Sequence, residues 1–224
     1  MPDGRLYLGT RRYSSWSLRG WLAVRLAGLD VEEIVIPLGD SRQGSTAAVA
    51  AVSPSGLVPY LEHAGQRIWE TLAICEYCAE IEPSLWPADR AARTRARVVS
   101  AEMHAGFRAL RVAMPMVLNK SAPGAGQTPE ALDDIARIEA LWRGTRAEFG
   151  AGGPFLFGPT FNAADAMFAP VVARLLTYQP PLAVDTVAYC DAVRAHPLVN
   201  AWYEAAAQEP VEWRLAHYEQ ASTV

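Results

Sequence analysis

Every strand-like run in this chain lies before Pro83, and that confinement limits the fold more than any other feature. Residues 5–10 (Arg-Leu-Tyr-Leu-Gly-Thr) and 32–38 (Glu-Glu-Ile-Val-Ile-Pro-Leu) are short apolar runs, the second with the continuous apolar centre of a buried parallel strand. Between them Leu18, Trp21, Leu22 and Leu26 recur at helical spacing, and Gly28 can close that helix in the left-handed conformation. Strand, helix and strand in that order make a βαβ unit. Tyr60–His63 and Arg67–Trp69 flank Ala64-Gly65-Gln66 as the arms of a hairpin. Leu72, Ile74, Cys75, Tyr77, Cys78 and Ile81 then continue as a helix stopped by Pro83.

The expected order is therefore β-α-β-(α)-β-β-α, that of a thioredoxin-like domain over residues 1–82, with an all-helical domain over residues 88–224. In the second part Val99, Met103, Phe107, Leu110, Met114 and Val117 mark one face of a long helix, which Pro115 should bend. Thr128-Pro129 supplies a cap and a first-turn proline for a helix through Leu132, Ile135, Leu141 and Trp142. Phe155-Leu156-Phe157-Gly158 reads as a loop or short extended piece. Asn162 with Asp165 three residues on has the spacing of a capping box. Two or three shorter helices should fill the chain from Asp185 onward.

Composition removes several function classes. A formal net charge of −4 over 224 residues, with no block of like charges, argues against nucleic acid or anionic lipid as partner. The apolar runs are too short to span a membrane, and Met-Pro-Asp-Gly-Arg is not the start of a secretory signal. Three cysteines in no framework spacing suit a reducing compartment, so a cytoplasmic protein is expected. Cys75 and Cys78 form a C-x-x-C, but inside a helical run and with no second pair. They read as buried helix residues, and no metal is expected.

The chemistry points to Gly56-Leu57-Val58-Pro59-Tyr60 and Trp69-Glu70-Thr71. A Val-Pro bond can adopt the cis form, which would turn the N–H and C=O of Val58 outward to pair with a peptide-like ligand. Glu70-Thr71, at a helix start, offers a carboxylate, a hydroxyl and free backbone N–H groups. Such a site suits a small extended peptide bearing both an amine and a carboxylate, and glutathione fits. Ser14 and Ser15 stand between the first strand and first helix, where a hydroxyl can either cap the helix or meet a thiolate.

This arrangement resembles the glutathione transferase family, whose cis-proline and following Glu/Gln-Ser pair hold the cysteinyl backbone and the γ-glutamyl end. The run Tyr13-Ser14-Ser15-Trp16-Ser17-Leu18-Arg19 is similar to the serine-type members, nearest the zeta class and its Ser-Ser-Cys-x-x-Arg signature. Trp16 stands where that signature has cysteine, which removes any mechanism needing that thiol and leaves Trp16 as a wall of the site or a packing residue. The resemblance implies glutathione as co-substrate, held by Ser14, Ser15, Val58, Pro59, Glu70 and Thr71, with Arg42 or Gln43 at the glycyl carboxylate. Ser14 or Ser15 would stabilise the thiolate, and the match to the first serine of the signature favours Ser14. Trp16, His104, Phe107 and Arg108 would meet the electrophile, His104 and Arg108 sharing a helix face four residues apart and Arg111 lying along the same helix. A solvated polar stripe is the other reading of that face.

Zeta isomerases acting on maleylacetoacetate carry an arginine twelve residues after the capping-box aspartate. That position here is Thr177, with Arg174 nearly one turn earlier. The implied function is conjugation of glutathione to a small hydrophobic electrophile, a detoxifying reaction, by a homodimer. The alternatives are a glutathione-dependent isomerase or dehalogenase, or a non-catalytic binding protein with the same fold.

Overall fold

The structure, a computed structural model, describes residues 2–39 and 46–220. Strand β1 (Gly4–Gly9) leads through helix α1 (Ser15–Leu26) to β2 (Val31–Ile36), which pairs parallel to β1 in register from Gly4 opposite Val31 to Gly9 opposite Ile36. Gly28, at φ +67°, turns the chain out of α1. Helix α2 (Ala47–Val52) precedes the hairpin of β3 (Tyr60–His63) and β4 (Gln66–Trp69), and β3 runs antiparallel to β1. The sheet order is β2-β1-β3-β4. Helix α3 (Thr71–Ile81) packs beside α1 on one face of the sheet. The expected order of elements is present, with strand ends shifted by one or two residues.

Beyond Pro83 the regular elements among the described residues are helices. They form α4 (Arg90–Ala105), α5 (Arg108–Ala113), α6 (Pro129–Phe149), α7 (Ala163–Tyr178), α8 (Val184–Ala195), α9 (Pro197–Ala207) and α10 (Ala216–Gln220). Helix α7 is buried nearly all round and packs against both α1 and α4. One apolar core therefore runs from Leu6, Leu22 and Ile74 in the sheet region to Met167, Phe168 and Leu175. The start of α7 is fixed by the capping box: Asn162 Oδ1 accepts from the N–H of Ala164 at 2.8 Å, and Asp165 accepts from the N–H of Asn162 at 3.1 Å. No described helix is long and apolar enough to cross a membrane.

The long helix expected over 99–117 is corrected. It breaks at Gly106-Phe107, where Phe107 takes the left-handed conformation at φ +57° while its ring is buried in the core. The N–H of Leu110 then donates to Asp134 of α6 at 2.9 Å, which starts α5 in a new direction. Pro115 follows α5 rather than bending it. An aromatic residue is an uncommon occupant of positive φ, so periodicity alone runs straight through the break.

Candidate active site

Ser14 is the N-cap of α1, and its Oγ accepts from the N–H of Ser17 at 3.3 Å. The same hydroxyl donates to Ser17 Oγ at 2.7 Å, and Ser17 Oγ accepts from the N–H of Gly9 at 2.9 Å. This chain of bonds ties the start of α1 to the end of β1. Ser15, the first residue of α1, makes no side-chain hydrogen bond among the described residues. Across from them the Val58-Pro59 bond is cis, and the N–H and C=O of Val58 have no backbone partner among the described residues. An added Cβ at Gly20 would lie 2.7 Å from the Pro59 ring, so glycine there lets α1 seat directly on this loop.

Glu70 and Thr71 complete this side. Glu70 stands at φ +70°, ψ 125°, outside the left-handed helical region, at the N-cap of α3, and makes no side-chain cap bond. The first N–H groups of α3 are thus left open, at the end of the helix that favours negative charge. Thr71 is buried at the first turn. Ser14, Ser15, Trp16, Val58, Pro59, Glu70 and Thr71 all line one cleft of about 620 Å³.

The facing wall comes from the helical part: His104 of α4, Arg111 of α5, Met116 after it, Arg174 of α7 and Tyr218 of α10. His104 Nε2 lies 3.7 Å from the Glu70 carboxylate. Burial lowers the imidazole pKa against the pull of Glu70, helped by Arg19 and Arg111, so at neutral pH the ring is uncharged. The Glu70 carboxylate is then left without a cationic partner among the described residues. Tyr13 and Tyr218 stack at 5.2 Å, and Glu219 binds Tyr13 at 2.6 Å and Arg12 at 2.7 Å, so α10 is held against the cleft.

Two family models match the chain: the glutathione S-transferase N-terminal domain over residues 13–81 and the glutathione S-transferase C-terminal domain over residues 91–205. The chain belongs to the glutathione S-transferase family. Among its relatives is rat (Rattus norvegicus) maleylacetoacetate isomerase, 29% identical over 176 residues that cover 75% of this chain and 76% of the rat protein. A solved glutathione transferase from Methylococcus capsulatus is 25% identical with a TM-score of 0.66, over 92% of this chain and all (100%) of that one. A glutathione transferase homologue from Burkholderia, crystallised with bound glutathione, has a TM-score of 0.70 at 22% identity, over 92% of this chain and 100% of its own.

Within this transferase fold the residues singled out from sequence separate into three groups. Ser14, Ser15, Trp16, Val58, Pro59, Glu70, Thr71 and His104 share the cleft. Phe107 and Arg108 do not line it: the break before α5 buries Phe107 in the core and leaves Arg108 exposed. Arg42 and Gln43 lie outside the described residues. Thr177 is buried away from the cleft, its hydroxyl donating to the carbonyl of Val117 at 3.3 Å. Cys75, Cys78 and Cys190 are free and buried, and burial pushes the Cys78 and Cys190 thiols up to about 12, so none is a ready nucleophile. Among the described residues no cluster of three or more His, Cys, Asp or Glu could hold a metal.

The sequence places Arg111 on the electrophile-side helix, but Arg108 is the cation it puts in the site. Arg111 and Arg174 line the cleft, and neither forms an ion pair among the described residues. A signal was present. Arg174 and Asp165 are the only charged residues in the sixteen of α7, a helix buried on nearly every side.

Proposed function

We propose that this transferase binds glutathione along the first wall of the cleft and presents its thiolate to a second substrate held by the helical wall. The observation that carries the reading is the gathering of Val58, Glu70-Thr71 and the Ser14/Ser15 pair around one cavity. The cysteinyl backbone would pair with the open main chain of Val58 as an added strand does. The γ-glutamyl carboxylate would meet the Thr71 hydroxyl and the open N–H groups of α3, and the ammonium would meet Glu70. Arg42 or Gln43 would serve the glycyl carboxylate.

A free thiol has a pKa near ~8.5 and is only slightly ionised at neutral pH. A hydroxyl donor and the field of a helix N-terminus both favour the anion. Ser15 makes no side-chain hydrogen bond among the described residues and sits at N1 of α1. Ser14 can donate to sulfur only by turning from Ser17. The geometry therefore moves the thiolate role toward Ser15, whereas the resemblance favours Ser14. Holding two reactants together supplies the rest of the rate enhancement. A second reading, glutathione-dependent isomerisation, is supported by the likeness to the rat isomerase.

We also infer a homodimer, joining the α/β part of one copy to the helical part of the other. Trp69 on β4, Ile81 on α3 and Val98 on α4 are large apolar side chains left 42%, 47% and 54% exposed. A cytoplasmic location belongs to the same reading. Retention on immobilised glutathione with elution by free glutathione, followed by thiol consumption with a panel of electrophiles, tests the function. Retention with turnover supports a transferase. Retention without turnover supports a binding protein, and no retention refutes both.

A further inference from the structure

The turn from β1 into α1, which ends in the two serines of the cleft, is held from the helical part of the chain. Both backbone N–H groups and both carbonyls of Arg11 and Arg12 find their partners there. The N–H of Arg11 donates to Glu209 Oε1 at 2.6 Å and that of Arg12 to Glu209 Oε2 at 3.1 Å, one oxygen for each. The carbonyl of Arg11 accepts from the indole N–H of Trp202 at 3.1 Å, and that of Arg12 from the N–H of Leu118 at 3.0 Å. Backbone groups taken out of water need partners, and so short a turn cannot supply them all itself.

Glu209 follows α9 and is half-buried beside the turn. The two arginine side chains do not compete for it: Arg11 Nη2 lies 2.6 Å from Glu33, and Arg12 Nε 2.7 Å from Glu219. The Glu209 carboxylate therefore meets backbone rather than side chain. Hydrogen bonds to an ionised acceptor are roughly twice as strong as neutral ones, and here two converge on one group. Trp202 is fully buried and packs on Trp21 of α1 at 5.3 Å, so the turn is backed by the core.

The anchored residues adjoin the chemistry. The N–H groups of Tyr13 and Ser14 donate to the Thr10 carbonyl at 3.1 and 2.9 Å, closing a tight turn with Arg11 and Arg12 inside it. Ser14 is then the N-cap of α1 and Ser15 its first residue. A hydroxyl stabilises a thiolate only within hydrogen-bond range and at a good angle, so a small displacement of the turn weakens that contact. Glu209 itself does not line the cleft. We propose that Glu209 is a positioning residue for the thiolate hydroxyl, holding the Arg11-Arg12 backbone and so fixing where Ser14 and Ser15 stand. The proposal rests on the transferase reading above, since it takes a serine as the thiolate donor.

The test titrates the thiolate absorbance of glutathione bound to the whole protein against pH, in the parent, Glu209→Gln and Glu209→Ala. Glutamine keeps the shape and one acceptor, and alanine keeps neither. The pKa of the bound thiol should rise by about one unit in Glu209→Ala, the scale of one hydrogen bond to a charged group, and by less in Glu209→Gln. S-methylglutathione has no thiol to ionise, and its affinity should stay within about twofold across the three proteins. A merely structural role would lower Tm and leave the thiol pKa at the parental value, and that result overturns the proposal. A pKa shift matched by an equal loss of S-methylglutathione binding also overturns it, because the whole cleft would then have changed. If Glu209→Ala does not fold, a parental thiol pKa in Glu209→Gln is enough to overturn it. If the parent binds no glutathione, the transferase reading falls separately, and amide exchange in Glu209→Gln decides the clamp. Faster exchange at Arg11 and Arg12 with β1 unchanged supports it, and exchange equal to the parent's overturns it.

Discussion

Glu70 offers a substitution in which stability and binding should move in opposite directions. Its backbone sits at φ +70°, ψ 125°, a conformation that a residue with a Cβ holds at a cost of about 1–3 kcal/mol. Its side chain gives little in return: it is 56% exposed, and its nearest ionisable neighbour among the described residues is the uncharged His104 imidazole 3.7 Å away. Glu70→Ala removes the carboxylate and keeps the strain. Glu70→Gly removes both, against a loss of about 0.5–1 kcal/mol from the freer unfolded chain. With strain near the middle of its range, the glycine variant should be about 1 kcal/mol more stable than the alanine variant. For a chain of this length that is a rise in Tm of about 2–4 °C. Both variants should lose the same ammonium contact, about 1.5–3 kcal/mol, or roughly ten- to a hundredfold in Kd for glutathione. Thermal melts without ligand and calorimetry with glutathione measure the two effects separately. Equal melting of the two variants would refute the strain. Parental affinity in either would refute the role of Glu70.

Ser15→Ala should raise the pKa of bound glutathione, read by titrating thiolate absorbance, with little change in Tm. Ser14→Ala should instead cost about 1 kcal/mol of stability through its cap, and a thiolate shift confined to that variant would return the role to Ser14. Burial outweighs the hydrogen bonds from Leu156, Asn162 and Tyr189, among others, to push the Asp165 carboxyl from 3.8 up to about 6. A raised carboxyl favours the folded state most below pH ~4 and loses that contribution as pH rises through ~6, so the stability of the parent relative to Asp165→Asn should fall by about 3 kcal/mol over that window. Denaturant midpoints that keep a constant gap from pH 4 to 7 would contradict this. Light scattering at low micromolar concentration should give twice the chain mass, and a stable monomer with full glutathione binding would rule out the homodimer.

The α/β part was legible because its signals are local. Apolar runs, Gly28 and Pro83 mark strands and helix ends whatever lies elsewhere, and the capping box at Asn162 and Asp165 follows from spacing alone. That Val58-Pro59 and Glu70-Thr71 share one wall of the cleft was legible for the same reason, since they sit at element boundaries read from neighbouring residues. The facing wall was not. It is assembled from α4, α5, α7 and α10, and which side of each helix faces inward depends on the break at Gly106-Phe107. With a continuous helix Arg108 would share the His104 face. So would Arg111, seven residues on; the break takes Arg108 out to solvent while Arg111 still lines the cleft.

The most direct test of the central claim is a crystal structure of the protein with glutathione. The account predicts the cysteinyl backbone paired with the main chain of Val58, the γ-glutamyl end on Glu70 and Thr71, and the sulfur within hydrogen-bond distance of Ser15 or a rotated Ser14. Glutathione ordered outside this cleft, or seated in it with the sulfur beyond reach of both serines, would contradict it.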